Sequence, residues 1–245
     1  MKNLVKAEFF KLLKSPGYWI MMVLSVGVGL FFGFWWILHS VRASGYQMLS
    51  VMDSFVMFHT IFTSAFTAVF LCSEFSDRTI GMALLCGIQR RKVLLSKLVV
   101  YFTGLLCLLS AVVAVPVVMM SAMNGFGIEM TAEGCRDSLA QVVFFWLVSS
   151  AMGGFFIFLA LITKNTVATI GVGLGIAYLL LVMTSNYVNA DIETFSLVKY
   201  SFICQMFILG DWEHLHKGLF LAVSLITLVS TLAASVLIFE KTELK

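Results

Sequence analysis

The residues of this chain that could do chemistry are few and scattered. Asp211, Glu213, His214 and His216 fall within one short stretch, Asp211-Trp212-Glu213-His214-Leu215-His216, and are of metal-binding types. A metal ion needs three or four ligands that converge and are themselves held by hydrogen bonds. A solvated loop with Trp212 at a membrane surface explains the same residues more simply. His59 stands in an apolar run with Thr60, Thr63, Ser64 and Thr67. With no nucleophile or paired acid beside it, it forms no hydrolase or protease arrangement. Two readings stay open for it: a polar lining, or a neutral imidazole bonded to a neighbouring helix. No GxxxxGK[ST] stretch occurs, so the chain has no phosphate-binding loop of its own. The five cysteines show no CxxC spacing.

These residues sit in a chain built for lipid. It has 245 residues, of which 60% are hydrophobic and only 12% charged. A soluble domain carries roughly 25% charged residues, and so few charges cannot cover a water-facing surface. Only Pro16 and Pro116 interrupt helical propensity. Helices also satisfy their own backbone in a bilayer.

Six apolar segments are long enough to span: Tyr18–Leu38, Val51–Cys72, Val93–Met123, Leu139–Ile162, Val167–Thr184 and Gly218–Phe239. The fold class expected is therefore an all-α integral membrane protein with six transmembrane helices. The third segment exceeds a perpendicular span, so tilt or an extension around Lys97 must absorb the excess. Pro116 is expected to kink it.

With the N-terminus placed in the cytoplasm, Lys2, Lys6, Lys11, Lys14, Arg78, Arg90, Arg91, Lys92, Lys97, Lys164, Lys241 and Lys245 lie inside, 12 of the 16 basic residues. Arg42, Arg136, Lys199 and Lys217 lie outside. Such a bias sets orientation, and an even number of spans returns the C-terminus to the cytoplasm. On this topology Cys135 and Cys204 face outward, and a disulfide between them is one open pairing.

Glycines cluster as Gly27, Gly29 and Gly33 in the first span and Gly171, Gly173 and Gly175 in the fifth. Gly29–Gly33 and Gly171–Gly175 fit GxxxG, which allows close backbone approach within the chain or between subunits. Ser224, Thr227, Thr231 and Ser235 form a polar stripe on the sixth span, for packing or lining. Asp53 falls near the outer end of the second.

Three further pieces complete the single domain expected over 1–245. Residues 1–15 read as an interfacial helix, with Val5, Phe9 and Leu12 on one face and Lys11 and Lys14 opposite, stopped by Pro16. Residues 73–92 form the longest and most charged cytoplasmic connection, with Ile80, Leu84 and Ile88 at helical spacing. Residues 187–217 form an outer loop in which Phe195–Leu209 is too short to span and reads as re-entrant or interfacial.

The stretch Ser73-Glu74-Phe75-Ser76-Asp77-Arg78-Thr79-Ile80, continuing to Gly87-Ile88-Gln89-Arg90-Arg91-Lys92-Val93-Leu94-Leu95-Ser96-Lys97, resembles the cytoplasmic loop of ABC-2 type transporter permeases. The opening Lys6-Ala7-Glu8-Phe9-Phe10-Lys11-Leu12 is similar to that family's elbow helix. The resemblance implies a permease half without its own ATPase. A coupling helix over Ile80–Ile88 would dock on a separate ATP-binding cassette ATPase. Glu74 and Arg78 would fix the loop by charge-assisted hydrogen bonds, Thr79, Ile80, Leu84 and Ile88 would belong to the coupling to the ATPase, and Arg90, Arg91 and Lys92 would contact ATPase or lipid phosphates. ATP and Mg would bind the partner, with no cofactor on this chain. A second permease chain, identical or related, would complete the transporter in a bacterial plasma membrane, and no nucleic-acid partner is expected. The Glu-Phe-Phe-Lys-Leu start is similar to exporters of antimicrobial-peptide immunity or drug resistance, which implies a lipophilic or amphipathic substrate. On that reading Asp53, His59, Thr63 and Thr67 are candidates for the translocation path. A non-ATPase sensor or immunity protein and a secondary carrier are the competing readings.

Overall fold

The computed structural model describes residues 1–39, 44–50, 56–76, 88–127, 132–187 and 216–241. The elements among them are all helical: α1 (Lys2–Lys14), α2 (Pro16–His39), α3 (Gly45–Ser50), α4 (Val56–Thr67), a π-helical turn (Ala68–Cys72), α5 (Ser73–Ser76), α6 (Arg90–Asn124), α7 (Ala132–Thr163), α8 (Thr166–Tyr187) and α9 (Lys217–Lys241). Five stretches are long and apolar enough to cross a membrane: Pro16–His39, Met57–Phe75, Arg90–Asn124, Gly134–Thr163 and Lys217–Lys241. The fifth expected span, Val167–Thr184, corresponds to α8, a helix of 22 residues whose apolar part is Thr166–Val182. The chain is an all-α membrane protein.

The boundaries follow local chemistry. Ser15 is extended, with ψ 119°. A residue before proline is driven to that conformation, and it ends α1. Pro16 then opens α2, where its missing N–H costs nothing. Trp19 Nε1 donates to the Leu13 carbonyl at 2.8 Å. This satisfies one of the free acceptors at the end of α1. Ser44 and Gln47 cap α3 reciprocally, Ser44 N–H to Gln47 Oε1 and Gln47 N–H to Ser44 Oγ. Between α7 and α8 the chain turns on Lys164, whose φ is positive at 50°. Asn165 Oδ1 then caps α8 by accepting from Val167 N–H and Ala168 N–H.

The long third span is one helix of 35 residues with Pro116 inside it. Proline cannot donate to the carbonyl four residues back, Val112. α2 comes close to that carbonyl: a Cβ on Gly29 would stand 3.0 Å from Val112 O and 2.9 Å from Val115 Cβ. Gly33, one turn on, faces Met119 and Pro116. The first GxxxG thus packs α2 on α6 within the chain. The second does not: nothing lies within 4 Å of a Cβ built on Gly171 or Gly175, while Gly173 between them abuts Ser64 of α4. The polar stripe of α9 turns inward, with Ser224 and Ser235 buried and Thr231 against Gly154 of α7.

Both terminal helices meet the start of α6: α1 through Glu8 and Lys97, α9 through Glu240 and Arg91. They therefore lie at the same end of the bundle, as an even number of crossings requires. The segment Phe195–Leu209, expected as re-entrant or interfacial, together with Asp53 and Cys204, lies outside the described residues. Cys135 is exposed.

Candidate functional site

At the end where the terminal helices meet, four charges converge on the flanks of the 77–87 connection. α1 buries the face that carries Leu12, with Val5 and Phe9 packed against the core, as its periodicity predicts. Glu8 lies on that same face and is buried with them. Its partner is Lys97, two turns into α6, whose Nζ donates to Glu8 Oε2 at 2.9 Å. Lys97 also pairs with Glu74 of α5. Lys11 closes the ring, 3.3 Å from Glu8 and 3.7 Å from Glu74. Side-chain exposure falls inward, from 54% at Lys11 to 16% at Glu74, 10% at Glu8 and 3% at Lys97. Two carboxylates and two ammonium groups alternate, so the cluster is neutral as a whole. A lone buried charge would be far too costly here, and pairing is what permits burial. For Lys11 burial is the largest single influence and lowers its pKa, but Glu74 and Glu8 together outweigh it and the net shift is upward.

Three elements are joined by this cluster: α1, the last turn of the second span and the first turns of the third. The connection expected over 73–92 is shorter as a loop than the sequence suggested. Ser73–Ser76 continue the second span, and α6 starts at Arg90. The extension is bonded in place, since Ser73 Oγ donates to the Val69 carbonyl inside the π turn. Ile88 is described just ahead of α6 and is half-buried. Arg78, Thr79, Ile80 and Leu84 lie outside the described residues. Arg90 and Arg91 reach the other terminus: Arg90 Nη1 donates to the Glu240 main-chain oxygen at 3.1 Å, and Arg91 holds the Glu240 carboxylate through Nε and Nη2.

His59, Thr60, Thr63, Ser64 and Thr67 of the second span are buried inside the bundle of this one chain. Ser149 Oγ–H is used on the Phe145 carbonyl at 2.6 Å. The 2.8 Å contact between Ser149 Oγ and His59 Nε2 must therefore be donated by the imidazole. His59 thus carries its proton on Nε2, with its ring edge-on to Phe145 at 5.5 Å. Thr67 likewise donates to the Thr63 carbonyl, so Tyr101 O–H donates to Thr67 Oγ1, each at 2.7 Å. Thr63 donates to the His59 carbonyl. Thr60 lies against Met152, and Cys72 against Thr169. His59 and Thr60 thus contact α7, Thr67 contacts α6, and Cys72 contacts α8.

Sequence reasoning placed Lys97 among the cytoplasmic charges, at an extension of the third span and at the end of the loop stretch, and quoted Glu8 within the opening helix, but it did not pair the two and did not single out Tyr101 or Ser149. Glu8 did carry a readable signal: it falls three residues after Val5 and four before Leu12, on the apolar face, where an acid demands a cation. No group of three or more metal-binding side chains occurs among the described residues. Of the Asp211–His216 stretch only His216 is described, and it is exposed.

The family model for the ABC-2 family transporter protein matches residues 4–182, which takes in α1, the charged cluster and the described helices as far as α8. The chain belongs to the ABC-2 transporter family. Within that family it is a membrane-embedded transport subunit, a permease, and family membership implies an ATPase partner. A search of curated proteins found no match.

Proposed function

We propose that this chain is the permease subunit of an ATP-binding cassette exporter, driven by a separate ATPase that binds ATP and Mg. Two permease chains, identical or related, sit in a bacterial plasma membrane with the charged end in the cytoplasm. The substrate is lipophilic or amphipathic, an antimicrobial peptide or a drug. The orientation is supported by the 12 of 16 basic residues at or beyond that end.

The observation that carries this reading is the buried Glu74–Lys97–Glu8 bridge beside the 77–87 connection. A coupling helix over Ile80–Ile88 would receive the ATPase movement. Spans two and three flank it and are clamped together by Lys97, and α1 is clamped with them through Glu8. Movement at the connection then shifts two spans and the interfacial helix as one lever. Side-chain packing and paired charges of this kind have discrete arrangements, as a transport switch requires.

The test is a tagged pull-down from native membranes in mild detergent, paired with ATP-driven efflux of a lipophilic dye in vesicles. An ATPase is expected to co-purify with the native chain and to be lost with Leu84→Asp. Recovery of the chain without an ATPase, or unchanged efflux in Leu84→Asp, would sink the coupling reading and favour a sensor or carrier.

A further inference from the structure

Beside the charged cluster lies a cavity of about 100 Å³ that transport coupling does not explain. Its lining includes the acidic residues Glu8 and Glu74 and the aromatic residues Tyr18, Phe66 and Phe70. Tyr18 and Phe66 have ring centroids 5.9 Å apart, and Phe66 and Phe70 5.7 Å apart, so the three rings form a continuous surface. Lys11 also lines the cavity and is its most exposed charged group. The acids, Tyr18 and Phe66 are the less exposed part of the lining, and Lys11 is the part nearest solvent.

Carboxylates together with aromatic faces are the chemistry that receives an ammonium group. A carboxylate offers about four lone-pair sites, so Glu8 and Glu74 can accept a further ammonium while keeping their lysines. Size narrows the choice. An apolar cavity of about 150 Å³ holds a benzene ring, so the smaller space here suits a primary ammonium on a two-carbon arm. Lys11 at the mouth matches a phosphate next to that arm. Outside it, Phe10, Leu13, Trp19 and Ile20 are exposed apolar side chains of α1 and the start of α2. They offer hydrocarbon surface where acyl chains would run.

We propose that this cavity binds the aminoethyl-phosphate headgroup of a zwitterionic phospholipid from the leaflet in which α1 lies. The ammonium enters between the carboxylates and the three rings, and the phosphate stays at Lys11. Bound lipid then fills the angle between α1 and the first two spans. The inference does not depend on the ATPase reading, because it concerns the isolated chain and its lipid.

The experiment uses the full chain purified in mild detergent, stripped of lipid and offered an equimolar mixture of phosphatidylethanolamine and phosphatidylglycerol. The second lipid carries a phosphate but no ammonium. Native mass spectrometry counts the lipid retained. Preferential retention of phosphatidylethanolamine is expected, and Phe70→Leu or Tyr18→Leu should cut the preference about five-fold, equivalent to ~1 kcal/mol. Both replacements keep an apolar side chain, and an unchanged melting temperature verifies the fold of each variant. Equal retention of the two lipids, or a preference untouched in both variants, would overturn the proposal.

Discussion

Lys97 and Glu8 stand 89 residues apart in the chain and 2.9 Å apart in space. The lysine is among the most buried residues of α6, and the acid lies on the buried face of a helix whose other side carries exposed lysines. The contact makes a short amphipathic helix an integral part of the bundle, fixed to the span that follows the 77–87 connection.

Lys97→Met should therefore be the most damaging single change in the cluster. It leaves Glu8 and Glu74 buried with only Lys11 to balance them, a loss of about 3 kcal/mol when a buried pair is broken from one side. Adding Glu8→Gln removes one of the stranded charges and should recover a large part of that loss. Thermal unfolding of the two variants in detergent reads both numbers, and an equal or lower melting temperature in the double variant would refute the pairing.

Much of the fold was legible because lipid imposes length and composition on every span. The six apolar runs, the stop at Pro16 and the inward face of Val5, Phe9 and Leu12 all follow from one-dimensional patterns. The candidate site was legible only in part. Glu74 was identified, but its partner could be any of several basic residues until α1 and α6 were placed together. The two GxxxG stretches read alike in sequence. Only packing separates Gly29 and Gly33, which meet α6, from Gly171 and Gly175, whose Cβ positions have no neighbour within 4 Å among the described residues. The continuation of the second span to Ser76 was hidden because Ser73 and Glu74 end the apolar run, although the backbone stays helical through a π turn.

The glycines of α2 give a graded prediction. Gly29→Ala drives a methyl into the Val115 Cβ and the Val112 carbonyl, neither of which can swing aside, and should cost about 1–3 kcal/mol. Gly33→Ala meets the Met119 thioether, a flexible side chain that can move, and should cost less. Gly27→Ala meets nothing within 4 Å and should be neutral or mildly stabilising. Melting temperatures in the order Gly27→Ala, Gly33→Ala, Gly29→Ala, from highest to lowest, are the expected outcome. Any other order would contradict the α2–α6 contact.

The His59–Ser149 hydrogen bond is asymmetric. Ser149→Ala strands a buried imidazole N–H, a loss of about 1–3 kcal/mol. His59→Leu leaves Ser149 still donating to the Phe145 carbonyl, so its hydroxyl remains satisfied. The serine variant should be the less stable of the two in denaturant melts. A double-mutant cycle should return a coupling energy above about 0.5 kcal/mol.

Lys11 sets the behaviour at high pH. Its folded pKa is raised above the ordinary value of 10.5. The stability it contributes is therefore complete below that value and is lost as pH rises through the raised one. The melting temperature should stay level from neutral pH to about 9 as far as this group is concerned. Lys11→Gln should remove part of the alkaline fall seen in the native chain. Identical profiles for the two proteins would show that Glu8 and Glu74 do not hold the Lys11 proton.

The π turn at Ala68–Cys72 divides the second span into two helical phases. A turn closed through five residues holds one more residue than an α-turn, and each residue of an α-helix rotates the chain by about 100°. The stretch from His59 to Thr67 is therefore oriented for α6, α7 and α8, while Glu74 is oriented for Lys97 and Lys11. An uninterrupted α-helix would tie those two orientations together. The surplus residue uncouples them, so the interior face of the span and its charged foot can each be tuned without rotating the other out of place.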